Sequence, residues 1–135
     1  MNTKLELVEC TEEHWEFVRC LRNDPLVLDG FIESTHITPE MQKKYMAKYA
    51  DCYRVCLNNG EAVGYVGVIE DDIRICTAPA YQGMGVGKFM MKHCMEIWPT
   101  AYGKVKIGNT ASENLMIATG LVPKYTIYEY EPKQS

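Results

Sequence analysis

The chain has 135 residues, of which 47% are hydrophobic and 24% are charged, and its formal net charge is −4. This length and composition indicate one globular domain over residues 1–135, with a core of ordinary size. The acidic balance argues against nucleic-acid binding, which needs a basic cluster, and no apolar run reaches membrane-spanning length. Because the N-terminus also lacks the apolar segment of a signal peptide, the sequence predicts a cytoplasmic protein.

The cysteines and histidines do not suggest a metal site. The three histidines lie far apart in the chain, and no two cysteines form a C-x-x-C pair. Most of the cysteines fall in apolar periodic segments, which is typical of reduced cysteines that pack as small hydrophobic residues. The six are Cys10, Cys20, Cys52, Cys56, Cys76 and Cys94.

The first half of the chain has one strand pattern and two helix patterns. Residues 5–9 alternate in polarity and predict a strand, and Thr11 is placed to cap the helix pattern that follows. Residues 26–37 are irregular and mixed in polarity, which predicts a loop. A threonine, a proline and an acid at 38–40 then begin a second helix.

A run of strand patterns follows in the middle of the chain. Residues 52–57 and 62–69 flank an Asn-Gly turn, which is a strong signal for a hairpin. A second tight turn at 70–72 leads to a strand at 73–77. A glycine-rich segment at 82–88 then opens a helix pattern.

The last third of the chain predicts two more strands and a short helix. Residues 104–107 and 124–130 have strand character. Thr110 and Glu113 form a capping-box pattern for a short helix that Gly120 ends. The full order of elements, β-α-α-β-β-β-α-β-α-β, indicates an α+β fold with a mixed sheet.

The glycine-rich segment, Gln-Gly-Met-Gly-Val-Gly-Lys at 82–88, carries the first functional signal. Its amide groups and the positive end of the helix behind it would attract an anion, which suggests a phosphate-bearing ligand. A P-loop would need glycine at Gln82 and a hydroxyl residue at Phe89, and the dinucleotide and kinase loops would need glycine at Lys88. The segment therefore does not fit these nucleotide sites.

The spacing of Gln82, Gly85 and Gly87 instead resembles the [Q/R]-x-x-G-x-[G/A] loop of the GNAT N-acetyltransferase superfamily. The residues before it, at 77–83, resemble the family pattern V-x-P-x-[YW]-[RQ]-G, with threonine in place of the usual valine. Asn-x-x-Ser-x-x-Leu at 109–115, followed by Gly-Leu, resembles a second family segment. Together the two motifs span roughly the C-terminal half of the chain.

This resemblance implies a mixed, mostly antiparallel central sheet of about six to seven strands, flanked by about four helices. It also implies acetyl-CoA as the acetyl donor. The backbone at 75–77 would pair with the pantetheine arm, the amides at 83–88 would hold the pyrophosphate, and the glycines would let phosphate approach without a Cβ in the way. The implied cofactor-binding residues are Ile75, Cys76, Thr77, Gln82, Gly83, Met84, Gly85, Val86, Gly87, Lys88, Asn109 and Ser112.

Two of these residues have plainer interpretations that the sequence leaves open. Lys88 would add charge near phosphate or would only belong to a solvated helix face. Asn109 would reach the pantetheine or would only be a loop or cap asparagine.

The chain departs from the family at the residue that often protonates the leaving thiolate. Many members have a tyrosine seven residues after the asparagine, where this chain has Met116, which cannot donate a proton. One branch, resembling the ribosomal-protein and amino-sugar N-acetyltransferases, has N-x-x-S and lacks this tyrosine. Ser112 is therefore the first candidate for the proton donor, the alternative being a helix-start serine that bonds its own backbone.

The candidate general base is Asp71, in the turn before the 73–77 strand, although acidic turns are usually only solvated hairpin tips. Asp29, Glu33 and His36, in the loop expected to line the acceptor cleft, are alternatives for contact with the acceptor.

The sequence thus predicts an N-acetyltransferase that moves an acetyl group from acetyl-CoA to a primary amine. The acceptor is left open among small amines, amino sugars and protein amines. The alternative is a CoA-binding regulatory module that binds a protein partner with little turnover. A homodimer is possible through the aromatic last strand.

Overall fold

The structure is a computed structural model that describes residues 4–32 and 35–132. The strands are β1 (Leu5–Glu9), β2 (Tyr53–Asn58), β3 (Glu61–Ile69) and β4 (Asp72–Thr77). The helices are α1 (Glu12–Arg22), α2 (Pro39–Tyr49), α3 (Val86–Ile97) and α4 (Thr110–Ala118). This is the α+β arrangement, with four helices, that the sequence predicts.

The strands form one antiparallel sheet in the order β1-β2-β3-β4. Both predicted hairpins are present. Asn59 and Gly60 have φ of 52° and 86°, and Glu70 and Asp71 have φ of 51° and 65°. Two successive left-handed residues are the geometry of a type I′ turn, whose twist matches that of the flanking strands.

Both faces of the sheet are covered. Strand side chains alternate between the faces, so each strand contributes to two cores. The α1/α2 face includes the buried residues Val18, Met46, Tyr53, Tyr65 and Cys76. The α3/α4 face includes Val66, Ile73, Met90, Met91, Cys94 and Met116.

Two predicted strands are absent from the described chain. Residues 104–107 and 124–130 have no strand assignment, so the sheet has four strands rather than six to seven. Tyr125, Tyr128 and Tyr130 are 89–90% exposed. Strand propensity reflects side chains that fit a half-buried sheet. These two segments are rich in such side chains, but neither has a neighbouring strand to pair with among the described residues.

The predicted cap of α4 is displaced by one residue. Thr110 lies inside the helix, and the Asn109 side chain accepts a hydrogen bond from the Ser112 amide at 3.2 Å. The side chain of a capping asparagine accepts a hydrogen bond from one of the free amides of the first turn. Thr110 does not take this position, because it is already inside the helix. Gly120, with φ of 95°, ends the helix as the sequence predicts.

Cys10, Cys56, Cys76 and Cys94 are buried and unbridged, whereas Cys20 is exposed. Burial raises the pKa of Cys10, Cys56 and Cys94 to about 11. These thiols are therefore packing residues.

Within the described ranges 4–32 and 35–132, no helix combines the length and the apolar character that crossing a membrane requires.

Candidate functional site

The glycine-rich loop lies between β4 and α3, as predicted, and two of its glycines need their conformation. Gly83 and Gly85 have φ of 78° and 85°. This region is costly for residues with a Cβ. A Cβ placed on either glycine would meet no heavy atom within 4 Å, so the space above the loop is open.

The start of α3 presents unpaired amides to this open space. The first intrahelical bond runs from the Phe89 amide to the Gly85 carbonyl at 3.1 Å. The amides of Val86, Gly87 and Lys88 precede it and have no acceptor within the helix. Gly85, the N-cap, offers no side chain to them. These amides and the positive end of the helix dipole form a cradle suited to an anion.

Gly87 also has a packing role. A Cβ at Gly87 would lie 3.3 Å from Leu115 Cδ2 and 3.8 Å from Thr77 Oγ1. The missing side chain therefore lets Leu115 of α4 pack closely against the start of α3.

Gln82 connects the loop to the strand before it. Its Nε2 donates to the Thr77 carbonyl at 3.3 Å, which spans the short turn at Pro79–Tyr81. The side chain thus braces the loop, as the sequence predicts.

The outer edge of β4 is open beside this loop. The chain meets that edge at Tyr102, whose carbonyl accepts from the Ile73 amide at 3.0 Å and whose amide donates to the Asp71 carbonyl at 2.8 Å. Because outward-facing backbone groups alternate along a strand, Ile75 and Thr77 direct theirs to the same edge. No strand of the described chain pairs with the edge beyond this bridge.

The start of α4 is joined to the loop that follows α1. Lys106 Nζ donates to the Asp29 carbonyl at 3.2 Å, and Asn109 Nδ2 approaches the Gly30 carbonyl at 3.5 Å. Asn109 is therefore a cap residue with one amide hydrogen directed at a loop. The half-buried Ser112 stands one turn into α4, and no hydrogen bond from the described residues reaches its hydroxyl.

The two predicted catalytic residues lie on separate elements. Asp71 is exposed in the turn before β4, where its Oδ1 accepts from Thr100 Oγ1 at 3.1 Å. Ser112 lies in the first turn of α4, and no hydrogen bond joins it to Asp71 among the described residues.

Met116, at the position that is often tyrosine in the family, belongs to the core. It is 9% exposed, and its Sδ lies 2.7 Å from where a Cβ on Gly103 would be. The Met116 side chain packs α4 against the segment that follows α3, and its thioether has no proton to transfer.

Sequence reasoning missed two charged residues on the α1/α2 face, Arg22 and Asp24. Burial raises the pKa of the Cys76 thiol in β4 to about 12, the negative charge of Asp24 raises it further, and the positive charge of Arg22 opposes this rise. Both charges therefore act near the C-terminal end of β4. Their position at or just after the end of α1 did not mark them as functional residues in the sequence, since charged residues at helix ends are common.

The other predicted residues have plainer positions. Lys88 is exposed and lines a groove between α3 and the end of α4, together with Lys92, Glu96 and Thr119. Asp29 and His36 are exposed, and Glu33 lies outside the described residues. No group of three or more metal-binding side chains occurs in residues 4–32 and 35–132.

Comparison with solved structures shows the same fold in other proteins. The spermidine N-acetyltransferase of Vibrio cholerae in complex with CoA and spermine is 17% identical, with a TM-score of 0.77 over 90% of this chain and 82% of that one. An acetyltransferase of the GNAT family from Streptococcus pneumoniae is 18% identical, with a TM-score of 0.70 over 90% and 87%. Aminoglycoside N-acetyltransferase AAC(6')-Iy in complex with CoA is 14% identical, with a TM-score of 0.72 over 99% and 98%.

No curated protein sequence matches the chain. The sequence profile of the acetyltransferase (GNAT) family matches residues 10–116, which include β2 to β4, the glycine loop and most of α4. Acetyl-CoA, the donor that the sequence predicts, suits the anion cradle and the open strand edge beside it. The chain therefore belongs to the GNAT acetyltransferase family, whose members are N-acetyltransferases that use acetyl-CoA.

Proposed function

We propose that the protein transfers the acetyl group of acetyl-CoA to a primary amine by direct attack within a ternary complex. The observation that carries this proposal is the adjacency of two backbone sites, the amides at the start of α3 and the edge of β4 beyond Ile73, which no strand of the described chain pairs with. A pyrophosphate needs the first, and the amide-containing pantetheine arm can use the second as a neighbouring strand would.

The residues proposed for the donor are those predicted from the sequence except Cys76, whose backbone groups face β3 instead of the open edge. The amides from Gly83 to Lys88 hold the pyrophosphate, while Ile75 and Thr77 pair with the pantetheine. Gln82 keeps the loop in position through its bond to Thr77. Lys88 adds positive charge within one helical turn of the phosphates. Asn109 acts from the α4 side, where it also holds the helix start in place.

The chemistry needs two proton movements. The amine nitrogen forms a bond to the carbonyl carbon, the carbon–sulfur bond breaks, and the amine loses a proton while the leaving thiolate gains one. We propose Ser112 for the proton or hydrogen bond to the thiolate, because its hydroxyl is half-buried and uncommitted within the described chain. Asp71 is proposed as the base that takes the amine proton, through water if the two are not in contact.

The substrates named for the structural neighbours agree with an amine acceptor. The Vibrio cholerae enzyme is described with spermine, and others act on aminoglycosides. Identities of 14–18% carry the fold and not the acceptor, so the class of amine has to be derived from this chain's own residues.

The test is release of CoA thiol from acetyl-CoA across a panel of amines, with calorimetric titration of CoA in parallel. We expect CoA to bind and at least one primary amine to raise the release rate well above the rate without acceptor. CoA binding without amine-dependent release would overturn the proposal.

A second function is favoured by one observation, the position of Met116. Met116 is buried in the core and cannot donate a proton, and no hydrogen bond links Asp71 to Ser112 among the described residues. A protein that binds CoA and a protein partner with little turnover needs only the donor site. CoA-dependent co-purification of a partner, with no thiol release for any amine, would establish this alternative.

A further inference from the structure

The last part of the described chain is an extended arm, residues 122–132, that forms no hydrogen bond with the rest of the described residues. It contains no turn, bend or helix, and every one of its residues is exposed. The Leu121 amide, which donates to the Met116 carbonyl at 3.0 Å, is the last backbone group paired within the described chain. The backbone groups and both faces of the arm are therefore open to a partner.

The arm is apolar along most of its length. Its large apolar side chains are 62–90% exposed, and they are Val122, Tyr125, Ile127, Tyr128 and Tyr130. A contiguous exposed apolar surface is typical of a protein–protein contact. The three tyrosines of each arm, taken from two copies of the chain, would remove about 900–1,500 Å² from water, which is the range that specific interfaces begin to reach.

A segment with free backbone groups lies earlier in the same chain, at residues 103–106. Tyr102 uses both its amide and its carbonyl to pair with the β4 side. Because backbone groups alternate in direction along an extended segment, Val105 directs its amide and carbonyl away from β4. No hydrogen bond of the described residues reaches these two groups. The outer side of this segment can therefore receive a strand.

The two segments are complementary in charge. Residues 104–106 are Lys-Val-Lys, and residues 129–131 are Glu-Tyr-Glu. Pairing the two central residues, Val105 and Tyr130, places each lysine opposite a glutamate. When Val105 and Tyr130 form the hydrogen-bonded pair of an antiparallel ladder, the pairs on either side are the closer ones, so the opposite charges meet at the shorter spacing.

The antiparallel direction also covers an exposed apolar side chain. Ile107 is 97% exposed, and in this direction it lies beside Tyr128. The parallel direction would place it beside Pro132, whose nitrogen has no hydrogen to donate. Burial of apolar surface therefore favours the antiparallel arrangement.

The two lysines keep capacity for a second partner. Lys106 Nζ donates to the Asp29 carbonyl at 3.2 Å, and Lys104 Nζ lies 3.8 Å from Asp72 Oδ2. An ammonium group has three hydrogens to donate, so one such contact leaves others for a glutamate.

We infer that two copies of this chain exchange arms about a two-fold axis, with residues 129–131 of each copy paired antiparallel to residues 104–106 of the other. Within one described copy the arm and residues 104–106 share no hydrogen bond. Exchange forms the same pairing twice, since a two-fold interface uses identical surfaces on both copies. The inference does not depend on acetyl transfer.

The first test is sedimentation velocity over a series of protein concentrations, with charge reversals at one predicted pair. We expect a dimer whose dissociation constant rises at least about tenfold in Glu129→Lys and in Lys106→Glu, because each places like charges opposite each other twice per dimer. Both changes in one chain regenerate the opposite-charge pair and should restore the constant to within about threefold of the wild type. Glu6→Lys, the same reversal at an exposed position of β1, is the matched control and should have no effect. Thermal unfolding of each variant reports on folding.

The second test separates exchange from an arm that folds back on its own copy. Lys106→Cys protein is mixed with Glu129→Cys protein, both carrying Cys20→Ser to remove the exposed native thiol. The closer antiparallel pairs have Cα atoms about 4.5 Å apart, which a disulfide can span. We expect mild oxidation to give a covalent dimer with one chain of each kind, identified by intact mass. Tyr125→Cys in place of Glu129→Cys, on the same side of the arm but four residues earlier, should give little of it.

Three results would overturn the inference. The first is a protein that sediments as a monomer at every concentration. The second is a dimer that the charge reversals do not weaken and whose mixture does not cross-link, which would place the contact on another surface. The third is a disulfide that forms within one chain carrying both cysteines but not between the mixed chains, which would show that the arm pairs with its own copy.

Discussion

The two sides of β4 differ in what they present. The proposed donor side consists of backbone groups: the amides from Gly83 to Lys88 and the open edge at Ile75 and Thr77. The α1/α2 side presents side chains, among them Arg22 at the end of α1 and Asp24 in the loop that Asn23 fixes through Ile37. A backbone site is determined by conformation, which glycine spacing encodes locally. A side-chain site depends on which distant residues the fold brings together, so its residues can change without altering the fold.

The same contrast exists inside the glycine loop. Gly83 and Gly85 have left-handed backbone next to open space, whereas a Cβ on Gly87 would lie 3.3 Å from the Leu115 side chain. One motif therefore combines a conformational requirement with a packing contact. The following changes separate the backbone contributions from those of side chains, beginning with the largest expected effect.

Gly85→Val should weaken acetyl-CoA binding by about 50-fold or more, since a β-branched residue at φ of 85° is strained and would displace the first amides of α3. Calorimetric titration with CoA measures the change. Gly60→Val is the matched control, because Gly60 has φ of 86° in a hairpin turn away from the loop. Similar CoA affinity in the Gly85 variant and the wild type would show that the backbone site is misassigned.

Met116→Tyr should destabilise the protein by about 2 kcal/mol and should not increase turnover. The larger ring must enter the space between α4 and Gly103, which Met116 already fills. Urea unfolding gives the first quantity and thiol release the second. Met116→Leu, which nearly conserves volume, should cost less than about 1.5 kcal/mol. A rise in turnover with tyrosine would mean that this position does reach the thioester.

Ser112→Ala should lower turnover at least tenfold, about 1.4 kcal/mol, with CoA affinity intact. Thr110→Ala, in the same turn of α4 and exposed, should leave turnover unchanged.

Asp71→Asn should lower turnover several-fold, a smaller effect than that of Ser112→Ala, because water can replace an exposed base. Single-turnover rates provide the measurement, and an unchanged rate removes the corresponding residue from the mechanism.

Asn109→Ala should reduce the free energy of unfolding by about 1 kcal/mol, the value of a lost helix cap. Asn109→Asp keeps the oxygen that accepts from Ser112 but lacks the Nδ2 that faces Gly30, so it should be nearly as stable as the wild type. Chemical denaturation measures both variants. If the aspartate variant binds CoA as well as the wild type, Asn109 acts only as a cap, and weaker binding would assign its amide to the donor site.

Strand prediction was accurate for β1 and for both hairpins. β2, β3 and β4 are joined by two-residue turns whose residues specify the geometry, whereas β1 pairs with β2 far along the chain. Residues 104–107 and 124–130 have comparable composition, but composition does not provide a pairing partner, and they form no strand in the described chain. The capping error at Thr110 has a similar origin, since Asn109 and Thr110 are both good caps and only the backbone conformation selects between them.

The sequence by itself determined the family and predicted the donor site. Glycine conformation, helix start and hairpin turns are decided by residues within a few positions of one another, and these features can be read in order along the chain. Only the tertiary structure decided that Met116 is a core residue packed against Gly103 and that the Asp71 carboxylate bonds Thr100. These relations join residues that are distant in the chain, and burial and charge arise there from packing.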